Sequence, residues 1–331
     1  MKKKRRRKNK SPKKVLALLA IVLLVGIPLL AYTAANRFVS DRESTDVTAD
    51  AKGGFDESVQ RNDVEEATVN RTSEGGSSAN EATGSKKPRT GNVRLMELPA
   101  TKKGEIIISH SAYTLSFNTQ HNNPNWVAWE LTATEVDGNG RRSNEFQPDP
   151  DIDERHRVTT DDYKGSGYDR GHMCPAADNK FEARAMTECF YMTNMCPQLH
   201  ELNAGGWESL ESACRRWAKT EGSVLIVCGP VYDSELKARQ GEASTRKQKT
   251  IGKEHRVTVP TGFFKCVMSL REGHEKAIGF YYTNDDKKQP MNEVCMTVDD
   301  IEAMTGYDFF VNVPDKLEKR IEAQCRLRDW K

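Results

Sequence analysis

The chain has 331 residues, with 50 Lys and Arg against 48 Asp and Glu and a formal charge of +2. With 37% hydrophobic and 30% charged residues it is not a multi-span membrane protein. The segment MKKKRRRKNKSPKK at the start carries seven Lys and three Arg with no acid, so a uniformly basic, histone-like composition is excluded as well.

Residues 15–35, VLALLAIVLLVGIPLLAYTAA, carry no charge. As a helix, at ~1.5 Å per residue, they reach about 31 Å, the thickness of a bilayer core. This predicts a transmembrane anchor. The competing reading is a secretory signal peptide with Thr33 and Ala35 at its cleavage site. Either way residues 1–14 form a basic cytoplasmic tail, and everything after residue 36 is exported. The expected placement is therefore membrane-anchored and extracytoplasmic, or secreted if the segment is cleaved. Residues 36–92 are poor in large apolar side chains and rich in Ser, Thr, Glu, Gly and Asn, which predicts a disordered linker.

Residues 93–331 read as one domain of α+β class. IIISHSAYTLSFN (106–118) and NWVAWELTATEV (125–136) are β-rich. A helix follows Asn203, with Trp207, Leu210, Cys214 and Trp217 on one stripe and Gly222 closing it. SVLIVCGPVY (223–232), HRVTVPTGFFKCVMSL (255–270) and AIGFYYTN (277–284) are further strands, and a second helix starts near Val298 and ends at Gly306. The elements interleave without a βαβ repeat, which argues against a doubly wound sheet. All eight cysteines lie in this domain. In an exported domain that count predicts at least one disulfide, with the remaining thiols packed as small apolar groups. No C-x-x-C occurs, so zinc is disfavoured.

The densest polar cluster is GSGYDRGHMCPAAD (165–178). Asp-Arg-Gly-His places a cation beside an imidazole, fit to hold an anion and accept a proton from water. The bland alternative is a satisfied histidine in a turn. A second cluster, TNMCPQLHELNAGGWESLE (193–211), supplies Asn194, Gln198, Asn203 and Glu211. Asn203 reads either as a helix N-cap or as an oxygen ligand for a hard divalent cation. Glu211 stands about two turns further on, and Arg215 is at salt-bridge spacing from it.

These residues resemble the DNA/RNA non-specific endonucleases. Asp169-Arg170-Gly171-His172-Met173 with Ala177 is similar to that family's active-site motif. Asn194, Pro197, Gln198, Asn203, Gly205, Trp207, Leu210 and Glu211 match its second pattern, and WVAWELT, VPTGFFK and IEAMTGYDFF match further stretches. The resemblance covers 93–331 and none of 1–92. It implies a ββα-metal (His-Me finger) fold with a mixed, mainly antiparallel sheet, and hydrolysis of phosphodiester bonds in DNA and RNA with little regard to sugar or sequence. It further implies His172 as general base, Mg²⁺ (or Mn²⁺ as a substitute) on Asn203, and Glu211 reaching the metal through water. Arg170 and Arg215 match positions that bind phosphate or steady the site. Asn194, Gln198 and one of Arg141 and Arg142 would contact substrate, and a homodimer follows from the same analogy.

Residues 93–331 carry a net charge of −5. Nucleic-acid binding then requires a local basic groove, and KARQGEASTRKQKTIGKEHR (237–256) is its candidate. Two other function classes compete: a thiol hydrolase in which His172 activates Cys174, and a non-catalytic nucleic-acid-binding surface protein.

Overall fold

The computed structural model describes residues 95–244 and 247–331. The basic tail, the apolar segment 15–35 and the linker 36–92 lie outside the described residues. The strands are Ile106–Ser109 (β1), Thr114–Asn118 (β2), Asn123–Thr132 (β3), Asp169–His172 (β4), Met195–Gln198 (β5), Ser223–Val231 (β6), Thr250–Ile251 (β7), Val257–Thr258 (β8), Gly262–Ser269 (β9), Lys276–Thr283 (β10) and Cys295–Met296 (β11). Three helices matter below: Glu208–Glu221 (α1), Val298–Thr305 (α2) and Asp315–Glu322 (α3).

The main sheet has seven strands in the order β1-β2-β3-β6-β9-β10-β11. Every neighbouring pair in it is antiparallel, so the expected mixed sheet is corrected to an antiparallel one. Its central strands are apolar on both faces because a helical layer covers each. Val127, Trp129, Ile226 and Val267 face α1, which presents Leu210, Cys214 and Trp217. Alternate residues Trp126, Val227, Phe264 and Met268 point the other way, toward Val298 and Ile301 of α2 and Ile321 of α3. Each such side chain contributes ~1.5–3 kcal/mol through burial, so the two layers are held independently. The cation Lys265 interrupts the apolar pattern of β9. It is 1% exposed and lies against the rings of Trp129 and Trp207, at 5.0 and 4.4 Å.

The apolar stripe of α1 is as the spacing predicts, and Gly222, at φ 90°, ends the helix where a side chain would be strained. The β-rich residues 106–118 form a hairpin. The reversal is closed by His110 N–H to Tyr113 O (2.9 Å), and Glu188 accepts from the backbone and hydroxyl of Ser111. Residues 133–136, expected to be extended, wind into a helical turn because Thr132 and Glu135 make a reciprocal capping box. Pro260 lies in the gap that splits 255–270 into β8 and β9. The expected disulfide is absent: all eight cysteines are free, and six are buried among apolar neighbours.

Candidate active site

Outside the main sheet, β4 and β5 form a separate antiparallel ribbon, with Gly171 opposite Cys196 and His172 opposite Met195. A Cβ at position 171 would overlap the Gln198 side chain, so only glycine lets the two strands close. After β5 the chain turns helical at His200, widens through a π-type stretch at Leu202–Trp207, and runs on into α1. Trp207 Nε1–H donates to His172 O (3.1 Å), tying ribbon to helix.

Asn203 therefore sits inside helical backbone and caps nothing, which corrects its N-cap reading. Its Nδ2 donates to Asp169 Oδ2 at 2.9 Å, and His200 Nδ1 lies 2.8 Å from the same oxygen. With the NH₂ end held by Asp169, the amide carbonyl is the end left to accept from, or ligate, whatever enters the cleft.

That cleft encloses about 420 Å³ and is lined by Arg142, Phe146, Tyr168, Asp169, Arg170, His172, Asn203, Glu208 and Glu211, among others. Five of the sequence-nominated residues thus converge. His172 is 9% exposed, its ring against Phe190 and Phe146 at 4.9 and 5.6 Å, and its Nε2 is buried without a hydrogen-bond partner. Burial first, then the charges of Arg142 and Arg170, push its pKa down to about 3. The imidazole is neutral at physiological pH, as a proton acceptor must be. Arg170 stacks on Phe146 at 4.2 Å. Arg142 approaches Phe190 at 5.3 Å and lines the cleft, whereas Arg141 does not line it. Burial raises the Glu211 carboxyl to about 7, with Lys265 and Arg215 opposing and Asp178 adding to the rise.

Other nominated residues are elsewhere. Arg215 pairs with Asp178 (3.0 Å) and Ser212 rather than with Glu211, and does not line the cleft; it steadies α1 from behind. Asn194 is fully buried, donating to Cys174 O and Cys189 O and accepting from Cys174 N–H. Gln198 is fully buried beneath Gly171. Both side chains are buried, and neither lines the cleft. Cys174 is buried outside the cleft, its thiol pushed well above the ordinary range by burial, which removes the thiol-hydrolase alternative. From the basic segment 237–256, Lys249 Nζ reaches Tyr168 Oη (2.9 Å) at the cleft edge.

Asp169 and Asp178 are the functional neighbours that sequence reasoning missed. Asp169 stood in the quoted motif without a role. Asp178 had no local signal, because its partners Arg215 and Trp129 come from distant elements.

A neutral imidazole, two arginines, a directed amide oxygen and a carboxylate in one open cleft define an enzyme that works on an anionic substrate. The chain belongs to the DNA/RNA non-specific endonuclease family, whose model matches residues 91–316, and it is a nuclease. It is similar to "Nuclease 1, mitochondrial" of Schizosaccharomyces pombe, 36% identical over 228 residues, 65% of this chain and 70% of that one. It is also similar to "Nuclease EXOG, mitochondrial" of Xenopus laevis, 34% identical over 204 residues, where the match spans 60% of this chain and just 56% of the relative. Among solved structures it resembles one titled "Crystal structure of the EndoG/EndoGI complex: Mechanism of EndoG inhibition", with TM-score 0.58, 31% identity, and coverage of 64% of this chain and 88% of that one.

These relatives correct the expected extracytoplasmic, membrane-anchored placement: both named relatives are mitochondrial nucleases. Among the described residues, no helix is long and apolar enough to cross a membrane.

Proposed function

We propose that the chain is a Mg²⁺-dependent endonuclease that hydrolyses DNA and RNA through a ββα-metal arrangement of β4, β5 and α1. The observation that carries this reading is the convergence of His172, Arg142, Arg170, Asn203 and Glu211 on one cleft. The donor set suits a hard cation: an amide oxygen turned outward by Asp169, with the half-buried carboxylate of Glu211 two turns along the same helix. Asn203 would hold Mg²⁺ directly and Glu211 through water. When bound, the ion neutralises charge on the phosphate and on the departing 3′-oxygen.

The protein's own residues do the rest. Arg142 and Arg170 hold the phosphate, and their stacking on Phe190 and Phe146 keeps the guanidinium planes in place. His172, neutral and fixed between two rings, takes the proton of the attacking water. The charged groups address phosphate, which DNA and RNA share, and this supports indifference to sugar and sequence. The test is incubation of the purified full chain with plasmid and with RNA, in Mg²⁺ and in EDTA. Cleavage of both substrates in Mg²⁺ alone is expected; undiminished cleavage in EDTA, or none in Mg²⁺, contradicts the proposal.

A further inference from the structure

On the face of the sheet opposite α1, helices α2 and α3 bring three carboxylates together. Asp299 and Glu302 come from α2 and Glu322 from the end of α3. Each offers one oxygen, and the three oxygens all lie within 4.8 Å of one another. That span is what two ligands of one Ca²⁺ can have, at ~2.4 Å each.

The cluster alone would be an ordinary acidic surface. Glu322 makes it different. It is 2% exposed, and its Oε1 is buried without a hydrogen-bond partner. A buried carboxylate oxygen normally accepts two or more hydrogen bonds or faces a cation, because leaving it bare costs solvation that nothing returns. No Lys, Arg or His among the described residues pairs with Asp299, Glu302 or Glu322. Glu318, one turn back on α3, shares a side-chain hydrogen bond with Glu322, so only Oε1 of that carboxyl is bare, and Asp308 adds further negative charge. Glu302 has one fixed contact, from Phe309 N–H to Oε1 (2.7 Å). Consistent with missing countercharge, burial and these neighbouring acids raise Glu302 to about 7 and Glu322 to about 9.

We propose that Asp299, Glu302 and Glu322 form a Ca²⁺ site that clips α2 to α3, separate from the nuclease cleft. Asp299 is exposed and gives the ion its entry and its remaining water ligands, while Glu322 supplies the buried oxygen. Ca²⁺ fits better than Mg²⁺ because carboxylates carried by two different helices tolerate its longer, less directional bonds, whereas Mg²⁺ demands a near-octahedral cage. The site lies behind the β9–β10 half of the sheet, so its occupancy acts on the stability of the C-terminal layer rather than on phosphate chemistry.

Thermal unfolding of the full chain tests this. After EDTA treatment and dialysis, CaCl₂ is added and the Tm followed. Wild type should rise in a saturable way, by roughly 5–10 °C at a hundredfold excess over Kd. Asn203→Ala should keep the whole response, because the ion in question is not the one in the cleft. Glu322→Gln should fold with an unchanged or higher Tm in EDTA and lose the response. Asp299→Asn, at an exposed position where folding is not at risk, should weaken the Ca²⁺ midpoint roughly tenfold or more. MgCl₂ in place of CaCl₂ should give a smaller shift in the Asn203→Ala background. Retention of the full Ca²⁺ shift in both Glu322→Gln and Asp299→Asn overturns the site, as does its loss in Asn203→Ala or its absence in wild type.

Discussion

Asp169→Ala removes the group that orients the proposed metal ligand without touching His172. In the structure Asp169 Oδ2 receives Asn203 Nδ2–H at 2.9 Å. A hydrogen bond to a charged acceptor is worth ~1.5–3 kcal/mol, and the Asp169 side chain is 35% exposed, so the lower half of that range applies. At ~1.4 kcal/mol per factor of ten, the loss is about tenfold, approaching 100-fold if the amide then turns its NH₂ toward the cleft. His200, the other partner of Asp169, is mostly exposed and adds little. Fold stability should change by only a few degrees in Tm, because no buried group loses its partner. The assay is plasmid cleavage as a function of Mg²⁺ concentration. The midpoint should move up about 10- to 100-fold, with much of the maximal rate recovered at high Mg²⁺. A wild-type Mg²⁺ dependence in Asp169→Ala refutes the claim that this carboxylate sets the Asn203 amide.

Three other outcomes follow from the same geometry. The His172 ring should stay neutral across pH 5–8 in metal-free protein, followed by NMR of ring-labelled histidine; a titration centred near 6.5 would count against the buried setting described here. Because its folded pKa is depressed to about 3, the stability contributed by the neutral ring is fully present above ~6.5 and fades as pH falls toward 3. Between pH 7 and 4 wild type should therefore lose about 3 kcal/mol more than His172→Gln in urea unfolding, and equal losses would be inconsistent with this linkage. Gly171→Ala must push Gln198 out of the ribbon, so it should cost about 1–3 kcal/mol and lower activity by displacing His172; a wild-type Tm would show that the strands have slack. Cys174→Ser should retain most activity, whereas near-complete loss in a folded variant would restore the thiol mechanism.

The apolar strands at 223–232 and 277–284 and the helix α1 were legible in the sequence because apolar runs, periodicity and a terminal glycine are local signals. The hairpin at 110–113 was not, since its reversal has neither Gly nor Pro and depends on Glu188 from a distant segment. Asn203 shows the same limit at the site. The asparagine ahead of an amphipathic stripe reads as a cap, but the backbone is already helical from His200, and the wide turn at 202–207 places the side chain over Asp169 instead. Arg215 has an acid four residues before it and still pairs with Asp178, because Glu211 faces the cleft while Asp178 is buried on the arginine's side. Asn194 and Gln198 belong to the same motif as Asn203, yet motif membership does not separate a residue that lines the cleft from one buried beside it.

The division of labour between His172 and Asn203 is tested most directly by single-turnover cleavage of a short DNA duplex across a Mg²⁺ titration, comparing wild type with His172→Ala and Asn203→Ala. The account predicts that His172→Ala lowers the saturated rate by roughly 10²–10⁴-fold with an unchanged Mg²⁺ midpoint. Asn203→Ala should instead shift the midpoint upward and regain part of the rate as Mg²⁺ rises. A His172→Ala protein that is folded and fully active, or one whose defect is cured by Mg²⁺ alone, would contradict it.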